Sequence, residues 1–283
     1  MRWQGRRQSS NVDDRRGFGR SGGGGGRRLG GAGVLIVLVL SLLFGGPELA
    51  MRNLGLVAGQ GQSTEYVQTP KDEERAGMAK VVLADTEDIW HQQFKAIGRT
   101  YQEPQMVLYS GYTRSACGTA NSAVGPFYCP ADNKIYLDLS FYDDLEKKLG
   151  AKGDFAMAYV IAHEVGHHVQ TLLGVTSQMN ELRQKLSKTE YNRYSVLFEL
   201  QADYLAGVYA KHSEKMGYLE EGDILEAMEA AQAVGDDRIQ KQAQGYVVPD
   251  SFTHGTSEQR MKWFKKGYEA GDLSEWDTFN LEK

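Results

Sequence analysis

The sequence predicts an α+β domain that follows one N-terminal membrane-spanning helix. Three observations support this prediction. An uncharged run begins at Leu29, strand-and-turn patterns occur between residues 105 and 139, and strongly helical patterns follow from Asp154 onward. A small sheet or hairpin followed by a mainly helical part is an α+β arrangement. With 283 residues, the chain is also long enough to bury a proper core.

The N-terminal region divides into a tail, an apolar segment and a linker. Residues 1–28 are rich in Arg and Gly, and we expect them to be a disordered cytoplasmic tail. Residues 29–46 carry no charge and would span about 27 Å as a helix, which is enough to cross a bilayer. Residues 47–75 read as a polar linker without sustained periodicity, and residues 76–283 as the folded domain.

The apolar segment has two alternative interpretations, a buried core helix and a cleaved signal peptide. Apolar residues all around the helix and an adjacent arginine cluster favour a membrane span over a core helix. Glu48 occupies a position where cleavage before Met51 needs a small residue, which favours an uncleaved single-pass anchor. Because the arginines lie on the N-terminal side, that side is predicted to stay in the cytoplasm and the domain to be exported, to the periplasm or outside the cell.

The charge distribution argues against nucleic acid as a partner. Residues 1–28 contain eight Arg and two Asp, a net charge of +6, whereas the whole chain carries −5. Residues 29–283 therefore carry −11. An acidic body in which no stretch interleaves basic and aromatic residues is not typical of a nucleic-acid-binding surface.

The two cysteines, Cys117 and Cys129, both follow the predicted anchor and so fall in the exported part. In an oxidising compartment they are expected to form a disulfide that closes a short loop, with two free buried thiols as the alternative. The spacing does not favour metal ligation by cysteine, because no Cys-x-x-Cys pair is present.

The first part of the domain is predicted to contain one helix and a small sheet. Residues 85–98 read as a helix that Asp85 caps and Gly98 ends, with His91 on its surface. The stretch QMVLYSGYT reads as a strand. A turn in PADN joins two further strands, Phe127–Cys129 and Lys134–Leu139, into a hairpin.

The second part is predicted to be helical. One helix begins at Asp154 and stops at Gly174, a second runs from about Glu190 to His212, and GDILEAMEAAQAVG forms a third. TSEQRMKWFKKGYEAG forms a fourth, in which Thr256 and Gln259 suit a capping box.

The helix that begins at Asp154 contains a His-Glu-x-x-His pattern. Because residues four apart lie on one helix face, His163 and His167 can bind one metal ion. Glu164 lies about 100° around the helix from His163, so its carboxylate can reach an activated water without binding the metal. The neighbouring His168 cannot join His163 on that face, and we expect it to be a packed or solvent-facing residue.

The second long helix offers the third ligand. Glu199 and Asp203 are four apart on a face that is otherwise apolar, where unpaired carboxylates are costly. Zinc binding explains Glu199, and Asp203 can accept the free ring N–H of one zinc-bound histidine. The alternative is a solvated helix face with two surface acids. Two imidazoles and a carboxylate with an open position favour Zn²⁺.

Four stretches together resemble the bacterial neutral zinc metallopeptidase family of membrane proteins with a single anchor. They are YVIAHEVGHHVQ, FELQADYLAG, GPFYCPADNKIYLD and SFTHGTSEQR, and the resemblance covers most of residues 60–283. A His-Glu-x-x-His helix followed by a Glu-x-x-x-Asp helix is similar to the gluzincin branch of zinc peptidases. The resemblance implies a zincin-like domain, zinc ligands at His163, His167 and Glu199, and a catalytic Glu164.

The expected activity is hydrolysis of peptide bonds in exported proteins or peptides by a metal-activated water, with Glu164 as general base. His254, in a His-Gly loop, is the first candidate to stabilise the oxyanion, and Tyr246 is the second. The alternative for His254 is a solvent-facing or capping histidine. A substrate in extended conformation would add to the sheet beside an edge strand, and the hairpin that contains residues 134–139 is assigned to that groove, with an ordinary interior hairpin as the alternative. The alternative is a catalytically inert, zinc-binding protein that binds or assembles partners at the cell envelope.

Overall fold

The computed structural model describes residues 1–17, 68–121 and 124–279. These residues form an α+β fold, as predicted, with six strands and eight helices. The strands are β1 (Val12–Asp14), β2 (Gln105–Tyr109), β3 (Tyr112–Ser115), β4 (Gly118–Asn121), β5 (Phe127–Cys129) and β6 (Lys134–Asp138). The helices are α1 (Pro70–Ala96), α2 (Phe141–Lys147), α3 (Asp154–Leu172), α4 (Val175–Lys185), α5 (Lys188–Lys215), α6 (Asp223–Ala233), α7 (Asp236–Gln244) and α8 (Ser257–Ala270).

The predicted membrane span, residues 29–46, lies outside the described residues. Among the residues that are described, no helix combines the length and apolar character needed to cross a bilayer.

The main sheet has four strands in the order β1-β2-β6-β5. Strand β2 pairs in parallel with both β1 and β6, and β5 pairs antiparallel with β6. The predicted hairpin is therefore confirmed, with Phe127 opposite Tyr136 and Cys129 opposite Lys134. The rings of Phe127 and Tyr136 stack with centroids 4.8 Å apart. This order makes β5 an edge strand.

The predicted disulfide between Cys117 and Cys129 is present. Cys117 lies in the turn that joins β3 to β4, which form a separate two-stranded sheet. The bond therefore ties that small sheet to the end of the edge strand β5, and Cys129 is fully buried there.

The expectation of a disordered tail is wrong for residues 1–17. Val12 and Asp14 pair with Met106 and Leu108 of the main sheet, and the side chain of Arg16 is almost fully buried. Composition was misleading here because the arginines have acidic partners far along the chain, so the segment does not remain solvated. Residues 18–28 of the predicted tail lie outside the described residues.

The predicted boundary between linker and domain, at residues 75 and 76, is also wrong, because α1 already begins at Pro70. The predicted start of this helix at Asp85 is wrong for the same reason. The side chain of Thr69 accepts a hydrogen bond from the backbone N–H of Asp72, and the side chain of Asp72 accepts one from the backbone N–H of Thr69. Pro70 occupies the first turn.

Asp85, the expected cap, instead lies buried in the middle of α1 beside Arg6. Burial raises the pKa of Asp85 to about 6 despite that partner. Residues 47–67 of the predicted linker lie outside the described residues.

The four predicted helices of the second part are confirmed as α3, α5, α6 and α8, and the Thr256–Gln259 capping box of α8 is present. Helix α5 begins earlier than expected, because Ser187 and Glu190 form another capping box. The short helices α2, α4 and α7 were not predicted. Helix α3 is buried over most of its length and forms the centre of the core.

Glycines set how closely the central helices approach one another. A Cβ added at Gly166 of α3 would lie 3.1 Å from the carbonyl oxygen of Ala202 on α5. A Cβ at Gly207 of α5 would lie 2.0 Å from the carbonyl oxygen of Phe264, and one at Gly267 of α8 would lie 1.9 Å from that of Tyr204. The backbones of α5 and α8 therefore touch at a pair of reciprocal glycines.

We expect Gly267→Ala to destabilise the protein by about 1–3 kcal/mol, because α8 must move away from α5 to admit the methyl group. The matched control is Gly77→Ala in α1, where an added Cβ would meet its nearest atom at an ordinary 3.6 Å. That change should be neutral or stabilising, because Ala is the better helix former. Thermal unfolding of the two variants measures the difference, and equal melting temperatures would contradict the close contact.

Candidate metal centre and active site

Helices α3 and α5 bring the three predicted metal ligands together. The Nε2 atom of His163 lies 3.1 Å from Oε2 of Glu199, and Nε2 of His167 lies 3.5 Å from Oε1 of the same carboxylate. One ligand atom from each residue lies within 4.8 Å of the others. Two imidazoles and one carboxylate in this arrangement fit the donor set of a zinc site.

Asp203 orients the ring of His163 through a hydrogen bond. The Nδ1 atom of His163 lies 2.9 Å from Oδ1 of Asp203, which leaves Nε2 facing Glu199. Asp203 is fully buried and also accepts a hydrogen bond from the hydroxyl of Tyr159 at 2.6 Å. Burial alone would lower the pKa of His163, but the carboxylates of Asp203 and Glu199 outweigh it and raise that pKa to about 9.

His167 is held by a residue that was not predicted. Its Nδ1 atom lies 2.8 Å from Oε1 of Gln170, three residues later on α3. The amide nitrogen of Gln170 donates to the carbonyl oxygen of Phe198 and to Oε1 of Gln201, both on α5. Each histidine therefore presents Nε2 to Glu199 and is oriented through Nδ1, which is how the second shell of a metal site orients its ligands.

Glu164 lies at the same cavity as the three candidate ligands, and 9% of its surface is exposed. Burial raises the pKa of Glu164, whereas the nearby His167 and His163 and the backbone N–H of Tyr128 on β5 lower it, and the net shift is upward. A carboxylate with a raised pKa is suited to accept and return a proton.

His254 also lines the cavity. Tyr246, the second candidate to stabilise the oxyanion, is 62% exposed and does not line the cavity.

Asp236, at the start of α7, holds the loop that contains His254. It accepts hydrogen bonds from the backbone N–H groups of Thr253, His254 and Gly255 at 2.7–3.0 Å. Its Oδ1 lies 3.3 Å from Nδ1 of His254. Burial lowers the pKa of His254, but the charges of Glu199 and Asp236 outweigh it and raise the pKa.

Arg260 of α8 is the site residue that the sequence prediction missed most clearly. Its Nε donates to Oδ2 of Asp203 at 2.8 Å and its Nη2 to Oδ1 at 2.9 Å, and the side chain is almost fully buried. A signal was available in the sequence. Arg260 shares the buried face of α8 with Trp263, Phe264 and Gly267, at the spacing of three, four and seven residues that marks one side of a helix.

The cavity has a volume of about 340 Å³. The candidate ligands, Glu164, His254 and Arg260 line one part of it. Apolar side chains line the remainder, among them Phe127 of β5, Phe141, Val160 and Val234. A cavity of this size with a few converging polar groups is typical of a ligand-binding or active site.

The other two histidines considered in the sequence lie away from the candidate ligands. His168 is buried and contacts the hydroxyl of Tyr128 and the carbonyl oxygen of Gln102 at 3.0 and 2.6 Å. His91 is exposed and pairs with Glu103 at 2.8 Å.

A second group of three possible ligands, Asp154, Asp223 and Glu226, also brings one ligand atom from each residue within 4.8 Å of the others. All three of its ligands would be carboxylate oxygens, a donor set that suits Mg²⁺ or Ca²⁺ better than zinc, and the amino group of Met1 lies 2.5 Å from Asp154 and 3.3 Å from Asp223. The histidine-containing group is therefore the better candidate for zinc.

Comparison with known proteins gives the same indication. Residues 1–279 match the family described as "Putative neutral zinc metallopeptidase". The chain belongs to this family. The match begins at residue 1 and so includes the folded N-terminal residues as well as the α3–α5 site.

Two relatives are also similar to the chain. "Uncharacterized protein YpfJ" of Escherichia coli (strain K12) is 54% identical over 284 aligned residues, covering 99% of both chains. "Uncharacterized protein Rv2575" of Mycobacterium tuberculosis (strain ATCC 25618 / H37Rv) is 45% identical over 191 residues, covering 64% of each chain. No solved structure matches the chain significantly.

We expect Arg260→Met to destabilise the protein by about 3–5 kcal/mol, because it leaves the buried charge of Asp203 without its guanidinium partner. Combining it with Asp203→Asn should recover part of the loss, because the unpaired charge is then removed. Chemical unfolding measures both effects, with Arg99→Met at an exposed position as the control. An Arg260→Met variant as stable as the control would contradict the assigned ion pair.

We expect the purified chain to hold one zinc ion and Glu199→Ala to weaken its binding by at least about 100-fold, because one of three ligands is lost. Metal analysis and competition with a zinc chelator measure this effect. The control is Glu229→Ala, which removes an exposed carboxylate of α6. Unchanged zinc affinity in Glu199→Ala would exclude Glu199 as a ligand.

Proposed function

We propose that the protein is a zinc-dependent peptidase of the zincin type. The observation that carries this proposal is the position of Glu164. A buried carboxylate that is not itself part of the candidate ligand group lies beside that group, at a cavity large enough for a substrate side chain. A purely structural zinc site has no need of a base at this position.

His163, His167 and Glu199 would hold the metal, which supplies a Lewis acid that polarises the scissile carbonyl and lowers the pKa of water. Glu164 takes a proton from the attacking water and later delivers it to the nitrogen of the leaving amine. Its burial supports both roles, since a carboxylate that is partly desolvated binds a proton more readily than an exposed one.

His254 is the candidate to stabilise the oxyanion from the chain itself. It lines the cavity, and its pKa is raised by Glu199 and Asp236, which favours the protonated, hydrogen-bond-donating form. Asp236 supports this role by holding both the imidazole and the backbone of the His254 loop. We assign Asp236 as the residue that positions His254.

The edge strand β5 is the proposed binding surface for an extended peptide. It lines the cavity through Phe127 and Tyr128, and the backbone N–H of Tyr128 points to Glu164. A peptide that added to this edge would bring a main-chain carbonyl close to the candidate ligands. The hairpin of β5 and β6 was predicted to form this groove, and β5 is the strand of that hairpin that lies at the edge of the sheet.

The cellular setting stays a prediction from the sequence. Membrane attachment through residues 29–46 and export of the domain would supply exported proteins or peptides as substrates. The disulfide is consistent with an oxidising compartment.

The decisive variant is Glu164→Gln, which keeps the size of the side chain but removes the base. We expect peptide hydrolysis to fall by at least about 100-fold while the zinc content stays at one ion per chain. Glu229→Gln on the exposed face of α6 is the matched control. A Glu164→Gln variant with full activity would contradict the assigned base.

The same experiment tests the alternative, a zinc-binding protein without catalytic activity. If the unmodified chain binds zinc but cleaves no member of a diverse peptide library, and Glu164→Gln changes nothing, the peptidase proposal fails and the binding function remains.

A further inference from the structure

The first 17 residues, called here the N-terminal segment, are built into the domain at three places. Strand β1 extends the main sheet, with the backbone N–H of Arg15 donating to the carbonyl oxygen of Leu108 at 2.7 Å. The backbone N–H of Ser9 donates to the carbonyl oxygen of Lys80 on α1 at 3.0 Å. The backbone N–H of Arg2 donates to the carbonyl oxygen of Tyr218, after α5, at 2.8 Å. Backbone pairing to elements so far apart in sequence is a property of folded structure and not of a tail.

Side chains of the N-terminal segment also satisfy two carboxylates that are buried on α1. Glu87 is 3% exposed, and it accepts hydrogen bonds from Arg7, Ser9 and Asn11 at 2.9, 2.5 and 2.9 Å. Asp85 is 5% exposed and bonds to Arg6. These donors satisfy both carboxylates at the contact between the segment and α1, where an unpaired buried charge would be costly.

The arginines of the segment are engaged in ion pairs within the fold. Arg7 pairs with Glu87 and Asp88, and Arg16 is buried against Asp14 and Glu73 at 2.6 and 3.0 Å. The predicted orientation across the membrane counted these arginines as free positive charge that stays in the cytoplasm. Their pairing with carboxylates gives these arginines a role within the fold that the orientation rule does not consider.

We propose that the N-terminal segment and residues 68–279 lie on the same side of any membrane that the protein meets. A hydrocarbon layer of about 30 Å would separate the two flanks of a single span, whereas the observed contacts are hydrogen bonds. The proposal is independent of the proposed peptidase function.

Cysteine labelling in the full chain tests the proposal. Ser10→Cys in the N-terminal segment and Lys241→Cys on α7 each place one free thiol at an exposed position. Each variant is treated with a membrane-impermeant maleimide, in cells with an intact inner membrane and again after detergent. The parent chain, whose two cysteines are joined, gives the background.

The two thiols should show the same pattern, both labelled in intact cells or both labelled only after detergent. One thiol labelled in intact cells and the other only after detergent would overturn the proposal. Detergent also shows that each thiol reacts when it is reached.

A second measurement tests whether the segment is docked in the full chain in solution. Glu87→Ala should lower the melting temperature by about 5 °C, because the buried donors of the segment lose their acceptor. Glu229→Ala is the control and should have little effect. If Glu87→Ala melts like the control, Glu87 is not covered by the segment and the proposal fails.

Discussion

The carboxylate of Asp203 is the group on which both the fold and the candidate site depend. It is fully buried and meets Tyr159 and His163 of α3 and Arg260 of α8, so one side chain of α5 joins three helices. A charge in this position is tolerated only because the guanidinium and the other donors satisfy it. The reciprocal glycines of α5 and α8 allow the approach that brings Arg260 to it. Stability and ligand orientation are therefore coupled through Asp203.

The parts of the site that follow from local geometry were predictable. His163 and His167 are one helical turn apart, as are Glu199 and Asp203, so each pair had to share a face of its helix. Whether the two faces meet depends on how α3 packs against α5. Gly166 of α3, at the contact with Ala202 of α5, shows how close that packing is. The residue types indicated that both helices could bind the same metal ion. The distances between the two helices, however, could be obtained only from the structure.

The supporting residues were harder to find for different reasons. Gln170 lies three residues after His167, so its contact was accessible from helical spacing, but a glutamine carries no specific signal. Asp236 holds the His254 loop from 18 residues away, in a short helix that the sequence did not predict. Arg260 was recognisable as a charge on a buried helix face, although the sequence of its own helix does not indicate that Asp203 is its partner.

The prediction of a disordered N-terminal tail was wrong for a similar reason. Arg6 and Arg7 pair with acidic residues that lie about 80 positions further along the chain.

The most direct test of the central claim is the position of zinc in a crystal of the zinc-loaded full chain, located by anomalous diffraction at the zinc edge. The account predicts one peak, about 2.0–2.2 Å from Nε2 of His163, Nε2 of His167 and a carboxylate oxygen of Glu199. A peak at Asp154, Asp223 and Glu226 instead, or a zinc-loaded protein in which Glu199 points away from both imidazoles, would contradict it.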